Sequence, residues 1–299
     1  EIGVSGNASS DETRAVLDSF RDALPLRWVI QPENIGMDRN FDTVISMARG
    51  EHCWLLGSDD VLVPDALARV VSHLQQTGTD ILHFGYIQAD IHLNPLHTAV
   101  PPGGAVDTSA NGLTNYFAAL PNMSMPFTFI SAFVFRRQLW VDRQARIHDW
   151  FGSSYIQTYA MHQAIRDGAS LTAVAEPLVI ARGDNPNEFN SVPGKFIALD
   201  ARTLARLMYE VYDQAPAAWK ALGQPFRRSY PPKALVYVAA HGGLSYIIDS
   251  REILLRLGHS SVLLDTLGRL ERLGLLKAIK FVIELRRKAI DQSARKTIK

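Results

Sequence analysis

The sequence lacks a second cysteine, a long apolar run and a low-complexity tract. Its one cysteine, Cys53, excludes an internal disulfide and fits a protein of the reducing cytoplasm. Cys53 stands in an apolar segment, so a buried structural thiol is favoured over a nucleophile. No stretch approaches the roughly 20 apolar residues that a membrane-spanning helix needs. The remaining composition, 47% hydrophobic and 20% charged over 299 residues, predicts a large α/β domain or a medium one with a helical appendage.

Net charge is also nearly absent, at +1, but the charged residues are unevenly distributed. Residues 277–299 contain eight Lys and Arg residues against Glu284 and Asp291, a local charge of +6. Such a basic segment is typical of a region that meets an anionic surface, either a membrane or a nucleic acid. No interleaving of aromatic and basic residues accompanies the charge, which disfavours nucleic acid as a partner. A glycine-rich, basic nucleotide loop is missing too, which disfavours a nucleotidyltransferase.

Strand and helix patterns alternate along the first two thirds of the chain. The predicted strands are 2–5, 27–31, 52–56, 80–86, 127–135 and 171–180, and the predicted helices among them are 11–24, 37–49, 64–76 and 155–167. This alternation predicts a Rossmann-like α/β fold in which a mostly parallel sheet is flanked by helices. We expect an α/β domain at 1–192 and a helical C-terminal region at 193–299. The first strand is already under way at residue 1, so we expect a preceding strand–helix unit to be missing from this sequence.

The predicted strand at 52–56 ends in an acidic turn, Gly57-Ser58-Asp59-Asp60. In parallel α/β sheets, ligands bind beyond the carboxyl ends of the strands. Adjacent carboxylates on a rigid turn at that position suit a hard divalent cation that bridges a diphosphate. The alternative, from this turn alone, is a solvated loop or a cap for the helix that begins near Pro64.

Four blocks, one of which contains the acidic turn, resemble the family-2 glycosyltransferases of GT-A fold in their order and spacing. The blocks are residues 1–13, Asn34-Ile35-Gly36-Met37-Asp38-Arg39-Asn40, residues 48–60 and Pro64-Asp65-Ala66-Leu67. Each block alone is unspecific, but their combination is specific. Within that family the similarity is to the abequosyltransferase-like enzymes of bacterial surface-polysaccharide synthesis.

The resemblance implies an inverting transfer from a nucleoside-diphosphate sugar to a saccharide acceptor, dependent on a divalent metal, Mn²⁺ or Mg²⁺. Asp59 and Asp60 match the metal-binding motif of the family, and Asp60 is expected to be the more direct ligand. The residues expected at the donor are Asn7, Asp11, Asn34, Arg39, Asn40, Asp59, Arg182 and Asn185. Arg39 suits a diphosphate oxygen through its planar fork of donors, although a surface arginine at a helix start is an equal alternative. For Arg182 and Asn185, which follow the last strand, the alternative is a plain turn.

Two departures from the family pattern concern the start of the chain. The family usually opens with a strand and loop that recognise the base, which this sequence lacks. The aspartate that is common in the first polar turn of the family is replaced by Gly6. These departures leave open a second hypothesis, in which the chain is a truncated or non-catalytic relative that serves as a binding module.

An inverting transfer needs a general base within hydrogen-bond reach of the acceptor hydroxyl. The resemblance places this base after the predicted strand at 127–135, where His148 and Asp149 are the candidates. Asp149 is favoured, although the usual Glu-Asp pair of the family is absent and a helix cap or surface acid is an alternative. The neighbouring Trp150 is either a stacking platform for an acceptor sugar or a core residue.

The last predicted helix, 262–288, is amphipathic and basic. Its leucine and isoleucine residues recur at helical spacing beside Lys277, Lys280 and Arg286. A basic amphipathic helix is typical of a segment that lies on an anionic membrane surface. This favours a lipid-linked acceptor at the cytoplasmic face of the membrane. The alternative is a helix packed on the α/β domain, followed by a solvated tail.

Overall fold

The computed structural model describes residues 1–183 and 192–297, with side chains described as far as residue 286. The strands in these residues are β1 Ile2–Gly6, β2 Leu26–Ile30, β3 His52–Trp54, β4 Val61–Leu62, β5 Ile81–Ala89, β6 Pro95–Ala99, β7 Gly104–Val106, β8 Phe133–Arg136 and β9 Leu171–Arg182. The helices of the N-terminal part are α1 Thr13–Ser19, α2 Met37–Met47, α3 Ala66–Thr77, α4 Ala110–Ala119, α5 Arg137–Val141, α6 Gln144–His148 and α7 Ile156–Arg166. The C-terminal helices are α8 Lys195–Glu210, α9 Pro216–Ala221, α10 Gly223–Ser229, α11 Pro232–Val238, α12 Leu244–Asp249, α13 Arg251–Arg256, α14 Ser261–Arg272 and α15 Leu275–Thr297.

The strands form a parallel pair, β1–β2, and a seven-stranded sheet in the order β3-β8-β5-β9-β4, with β6 beside β5 and β7 beside β9. The expected α/β class, with helices around a central sheet and a helical C-terminal part, is confirmed. The strand directions differ from the expected mostly parallel arrangement, because β5–β9 is the one parallel pairing described within the larger sheet. Two pairings of β5 account for the difference. Strand β6 follows β5 and runs back beside it, and β8 lies on β5 in the opposite direction. Antiparallel neighbours of this kind do not require the crossover helix that joins parallel strands.

The segment before β8 is the largest local difference from the sequence prediction. Only Phe133–Arg136 forms a strand, preceded by a 3₁₀ turn at Ile130–Ala132. Phe127 adopts a φ of 64°, a left-handed conformation that a strand does not accommodate. The carbonyl of Phe127 instead accepts a hydrogen bond from Thr158 Oγ1 at 2.9 Å. The chain therefore bends through this region, and the bend supplies part of the site described below.

A cleft of about 170 Å³ separates β1 from β3 and is lined by Gly3, Val44, Ile45 and Cys53, among others. Among the described strands, no ladder of backbone hydrogen bonds joins the two sheets across it. Cys53 is buried, and burial raises the pKa of its thiol to about 11. The thiol is therefore protonated at neutral pH and structural, as its apolar surroundings in the sequence predict.

One buried cluster extends from the central sheet into the C-terminal helices. At its centre His162 on α7 makes a hydrogen bond of 2.7 Å with the hydroxyl of Tyr212, just after α8. Burial lowers the pKa of His162 to about 4, so the imidazole is neutral and joins the two parts of the chain as a core residue. The domain boundary at residue 192 stays a prediction. Within the described residues, no helix combines the length and apolar character needed to cross a bilayer.

Candidate active site

The acidic turn is held in place by Ser131, a residue that the sequence did not single out. The Ser131 hydroxyl donates to Asp60 Oδ2 at 2.6 Å and accepts from the backbone N–H of Gly57 at 2.9 Å. The Ser131 carbonyl accepts from Trp54 Nε1 at 2.9 Å. Because Trp54 ends β3 and Ser131 precedes β8, the pairing of these strands fixes both sides of the turn. One serine thus orients the Asp60 carboxylate from 71 residues away.

Asp60 is a partly desolvated carboxylate. Burial raises its pKa to about 6, the Ser131 hydrogen bond opposes that rise, and the negative charge of Asp59 adds to it. A Cβ at Gly57 would lie 2.7 Å from Asp60 Oδ2 and 3.0 Å from Asp59 Oδ1, so a side chain there would displace the carboxylates. Glycine at this position therefore lets the two carboxylates lie close to the backbone of the turn.

The oxygen atoms of this turn fit a divalent cation of the kind that also needs substrate phosphates. Magnesium-type sites often use one or two carboxylates, with water and phosphate oxygens completing the octahedron. Asp59, Asp60 and the Ser131 hydroxyl supply such a partial set. In the part of the chain that the structure describes, no cluster of three or more His, Cys, Asp or Glu residues forms a complete protein cage. The site thus suits a cation that arrives with a diphosphate.

Arg182 lies at the acidic turn, as the sequence predicted. Its Nε donates to the backbone carbonyl of Asp59 at 3.1 Å, and a terminal nitrogen donates to the carbonyl of Ile91 at 2.8 Å. The pairing of β4 with β9, in which Val61 lies opposite Ile180, brings the two segments together. Arg182 therefore places a fixed positive charge beside the two carboxylates. Asn185, the other residue predicted in this loop, lies outside the described residues.

The predicted donor-side asparagines bring two polar turns together. Asn7 Nδ2 donates to Asn34 Oδ1 at 2.7 Å, and Asn7 Oδ1 accepts from the backbone N–H of Ile35 at 2.8 Å. Asn40 exchanges hydrogen bonds with Ser5 through both ends of its side-chain amide. These contacts join the ends of β1 and β2 to the start of α2. The first two of the four blocks thus meet at one edge of the parallel pair.

Asp11 and Arg39 have different surroundings. Asp11 accepts from the hydroxyl and backbone N–H of Thr13 near the start of α1, and these hydrogen bonds lower the pKa of its carboxyl. The Asp11 carboxylate thus stabilises the turn before helix α1 through these hydrogen bonds. The Arg39 guanidinium carbon lies 4.6 Å from the ring centroid of Phe151, a cation–π geometry, and the side chain is exposed.

His148 lies against an aromatic ring that Arg39 also contacts. The His148 ring lies 4.6 Å from that of Phe151, and His148 Nε2 is 2.9 Å from Asp42 Oδ2. Asp149 is exposed, and its backbone carbonyl accepts from Arg206 at 3.3 Å. Arg39 stacks on Phe151 too, so the Asn34–Asn40 block and His148 meet at this ring. No described hydrogen bond links His148 or Asp149 to the acidic turn.

Trp150 is a core residue, so the acceptor-stacking interpretation is wrong. It is fully buried and stacks on Tyr159 with ring centroids 4.7 Å apart. Its Nε1 donates to Glu210 Oε2 at 2.7 Å, and Arg206 covers the ring at 3.9 Å. A sugar cannot reach either face of this indole.

Asp38 is a second buried acid that the sequence did not single out. Its Oδ2 accepts from the backbone N–H of Ser154 at 2.9 Å. Burial raises the pKa of Asp38, and hydrogen bonds from backbone N–H groups between Gly152 and Ile156 oppose that rise. Asp38 thus anchors the loop after His148 to the start of α2. An acid in the first turn of a helix normally signals only a favourable helix dipole, so the sequence offers no stronger clue.

An aromatic pocket of about 480 Å³ is lined by residues of the N-terminal part and of helices α8 and α10. One wall is formed by residues 128–130, directly before Ser131. The opposite wall contains Asp200, whose carboxylate accepts from the hydroxyls of Tyr155 at 2.8 Å and Tyr230 at 2.6 Å. Burial raises the pKa of Asp200 to about 6, and the two tyrosine hydrogen bonds oppose that rise. This volume is typical of a small-ligand site. Of its lining residues, Met37 alone belongs to one of the four blocks identified in the sequence.

Comparisons with known proteins agree with this geometry. Residues 1–140 match the family described as Glycosyl transferase family 2. Over 292 residues the chain is 25% identical to abequosyltransferase RfbV of Salmonella typhimurium, covering 91% of this chain and 84% of that protein.

Two solved structures are similar in fold. One is S. aureus TarS, determined with UDP-GlcNAc, with a TM-score of 0.58 and 14% sequence identity. The alignment covers 92% of this chain and 83% of the TarS chain. The mannosyltransferase PcManGT of Pyrobaculum calidifontis, determined with GDP-Man and Mn²⁺, has a TM-score of 0.54 at 15% identity and covers 99% of this chain and 77% of its own. At these identities the likeness shows the fold alone, which is the GT-A glycosyltransferase fold.

The chain is therefore similar to the family-2 glycosyltransferases, over residues 1–140 in the family comparison. Its sequence is similar along most of its length to an abequosyltransferase, which confirms the resemblance carried by the four N-terminal blocks.

Proposed function

We propose that this protein transfers a sugar from a nucleoside diphosphate to a saccharide acceptor, with inversion at the anomeric carbon and with a divalent cation at the acidic turn. The observation that carries the proposal is the Asp60–Ser131–Gly57 arrangement with Arg182 beside it. The proteins of similar fold support a nucleotide-sugar donor, since they were determined with UDP-GlcNAc and with GDP-Man. The similarity to an abequosyltransferase supports a role in O-antigen-type polysaccharide synthesis.

In this proposal Asp60 and Asp59 hold the cation, either Mn²⁺ or Mg²⁺. When bound, the cation neutralises the charge that builds on the diphosphate leaving group. Arg182 adds a fixed positive charge from the protein, because its guanidinium is already held by two backbone carbonyls. Arg39 extends the positive region on the other side of the donor. Asn185 stays a proposal for the same loop.

The donor nucleotide is proposed to lie along the edge formed by Asn7, Asp11, Asn34 and Asn40. The side-chain hydrogen bonds of the three asparagines hold this edge in one shape before a ligand arrives. A preformed edge reduces the ordering cost of binding. These residues are therefore proposed chiefly to shape the site, with backbone groups of the two turns available to the nucleotide.

Asp149 or His148 is proposed to be the general base. In an inverting transfer the bond between the anomeric carbon and the diphosphate oxygen breaks as the acceptor oxygen bonds to that carbon. The acceptor proton passes to the base. Asp149 is exposed and its side chain has no described hydrogen bond, whereas His148 is paired with Asp42. This difference supports Asp149 as the base and His148 as a residue that fixes the position of the loop.

The C-terminal helix is proposed to hold the enzyme on an anionic membrane surface at the cytoplasmic face. Phe281, Val282 and Leu285 on α15 are each at least half exposed. The basic residues Lys277 and Lys280 stand on the same helix. Exposed apolar side chains beside basic ones are what an interfacial helix presents to anionic lipids. A lipid-linked acceptor would be presented at such a surface.

Calorimetric titration tests the proposed donor site. The parent protein, Asp60→Asn and Asp265→Asn are each titrated with UDP, GDP, CDP and dTDP, with and without Mn²⁺. Asparagine preserves an acceptor for Ser131, so Asp60→Asn is expected to stay folded. Asp265 forms a surface ion pair with Arg251 and serves as the matched control.

We expect one nucleotide to bind the parent and the Asp265→Asn protein in a Mn²⁺-dependent manner, at least tenfold more tightly than Asp60→Asn. If the folded parent binds none of these nucleotides, the proposed function is wrong. Metal-dependent binding without transfer to any acceptor would instead favour a non-catalytic binding module.

A further inference from the structure

The C-terminal helices enclose a second cavity that the transfer reaction itself does not require. This apolar cleft, of about 930 Å³, lies between the start of α8, helix α11 and helix α15. Its lining includes Ile197, Ala234, Val238, Ile279 and Ile283. A cavity of this size with so few polar groups is unusual on a protein surface unless it receives an apolar ligand.

The apolar cleft is continuous with the aromatic pocket. Phe196, Ser229 and Tyr230 line both cavities. The aromatic pocket is also lined by residues 128–130, which precede Ser131 in the chain, and by Met37 of the Asn34–Asn40 block. A ligand in the aromatic pocket can therefore extend past Tyr230 into the apolar cleft.

The cleft contains one charged side chain among its described lining residues, Lys233 on α11. Lys233 is exposed and follows Ser229 and Tyr230, which form the junction between the two cavities, by four and three residues. Along the path, the aromatic pocket contains the Asp200 carboxylate with hydroxyl and amide side chains, Lys233 stands near the junction, and the cleft beyond it is apolar. A saccharide joined through phosphate to a hydrocarbon chain has the same order of polarity.

We propose that the apolar cleft binds the hydrocarbon chain of a phosphate-linked lipid acceptor and that Lys233 contacts its phosphate. This inference rests on the proposed function and assigns the acceptor saccharide to the aromatic pocket, whose lining includes Met37 of the block proposed at the donor. The exposed apolar side chains of α15 support this occupant. Phe281 and Val282 adjoin the lining residues Ile279 and Ile283, so a chain leaving a membrane meets the cleft at this helix.

A binding experiment with the full chain tests the inference without knowledge of the natural acceptor. The probes are decyl phosphate below its micellar concentration, decyl glucoside and inorganic phosphate, each measured by calorimetry. Ile283→Asp places a charge in the cleft. Val262→Asp on α14 is the matched control, because Val262 is 72% exposed and does not line the cleft.

We expect decyl phosphate to bind the parent and Val262→Asp with equal affinity and to bind Ile283→Asp at least tenfold more weakly. Lys233→Ala is expected to weaken decyl phosphate about fivefold while leaving decyl glucoside unchanged, and inorganic phosphate alone is expected not to bind detectably. Circular dichroism and nucleotide titration of each variant establish that the fold and the donor site are intact.

Several outcomes would overturn the inference, and they are distinguishable from failure of the proposed function. If nucleotides bind but decyl phosphate does not, or if it binds Ile283→Asp as tightly as the parent, the cleft is not a chain site although the donor site stands. Self-association abolished by Ile283→Asp, without chain binding, would assign the cleft to a second copy of the protein. Chain binding by a protein that binds no nucleotide would refute the acceptor assignment together with the proposed function.

Discussion

The acidic turn and the aromatic pocket are built in opposite ways. The turn is one short segment, residues 57–60, placed by the end of a single strand and oriented by Ser131. The pocket is assembled from stretches around residues 124–130, 154–157, 196–200 and 229–230, which meet only in the folded protein. Chemistry that depends on adjacent residues is visible as a motif. Chemistry that depends on residues brought together from distant segments is not.

Trp150 is part of the buried core on which the segments around the aromatic pocket depend, and its removal should have the largest effect on stability. Trp150→Ala is expected to lower the free energy of unfolding by about 3–5 kcal/mol, because a fully buried indole, its stacking on Tyr159 and its hydrogen bond to Glu210 are all lost. Urea unfolding followed by circular dichroism measures the change. The control is Tyr209→Ala, since Tyr209 is 64% exposed and should change stability by about 0.5 kcal/mol or less. A stable Trp150→Ala protein that had lost only acceptor binding would restore the stacking interpretation.

The sequence singled out more residues near the acidic turn than around the aromatic pocket. It assigned Asp59, Asp60 and Arg182 to the donor, and in the structure Arg182 Nε donates to the Asp59 carbonyl, because strand ends that share a sheet edge are close in space. Ser131 could not be predicted, since a serine 71 residues from its partner has no local signature. Trp150 was ambiguous because the same side chain suits a protein core and a sugar face.

The same physical limit applies to the sheet and to the buried acids. Alternating strand and helix patterns predicted the α/β class, but the direction in which β8 enters the sheet depends on a bend at Phe127 that no pattern records. Asp38 and Asp200 look like ordinary polar helix residues in the sequence. Their burial depends on backbone N–H groups and tyrosine hydroxyls supplied by other segments.

Gly57→Ala tests whether the spacing of the acidic turn matters for function. The added Cβ would lie 2.7 Å from Asp60 Oδ2, so the carboxylates must shift. We expect kcat/KM to fall about 10- to 100-fold, corresponding to about 1.4–2.7 kcal/mol of transition-state stabilisation. The matched control is Gly268→Ala on α14, where nothing lies within 4 Å of the added Cβ and the helix should gain about 0.5–1 kcal/mol. Unchanged activity in Gly57→Ala would show that the turn tolerates displacement and does not bind a cation closely.

The Asp200 carboxyl in the aromatic pocket should make the stability of the protein depend on pH. Because burial raises its pKa to about 6 from a usual value of 3.8, the folded protein binds this proton more tightly than the unfolded chain does. The contribution of Asp200 to stability is therefore greatest near pH 4 and falls as the pH rises to about 6. The free energy of unfolding of the parent minus that of Asp200→Asn should decrease by about 1–3 kcal/mol over this range, measured by urea unfolding at closely spaced pH values. A constant difference would mean that Tyr155 and Tyr230 keep the carboxylate ionised in the folded state.

The smallest expected effect is on membrane binding, and it distinguishes the apolar cleft from the membrane-facing side of α15. Lys280→Ala is expected to weaken binding to vesicles containing anionic phospholipid about fivefold at low salt, since one basic residue near such a surface contributes about 1 kcal/mol. Lys220→Ala, on helix α9, is the control and should bind the vesicles like the parent. The loss should shrink in 0.5 M salt, because screening shortens the range of the interaction.

Affinity for decyl phosphate should stay unchanged in Lys280→Ala, because Lys280 does not line the cleft, whereas Lys233 does. If both lysines affect both ligands equally, the basic charge acts as one diffuse field, and the distinction between a membrane-facing side and a chain-binding cleft does not hold.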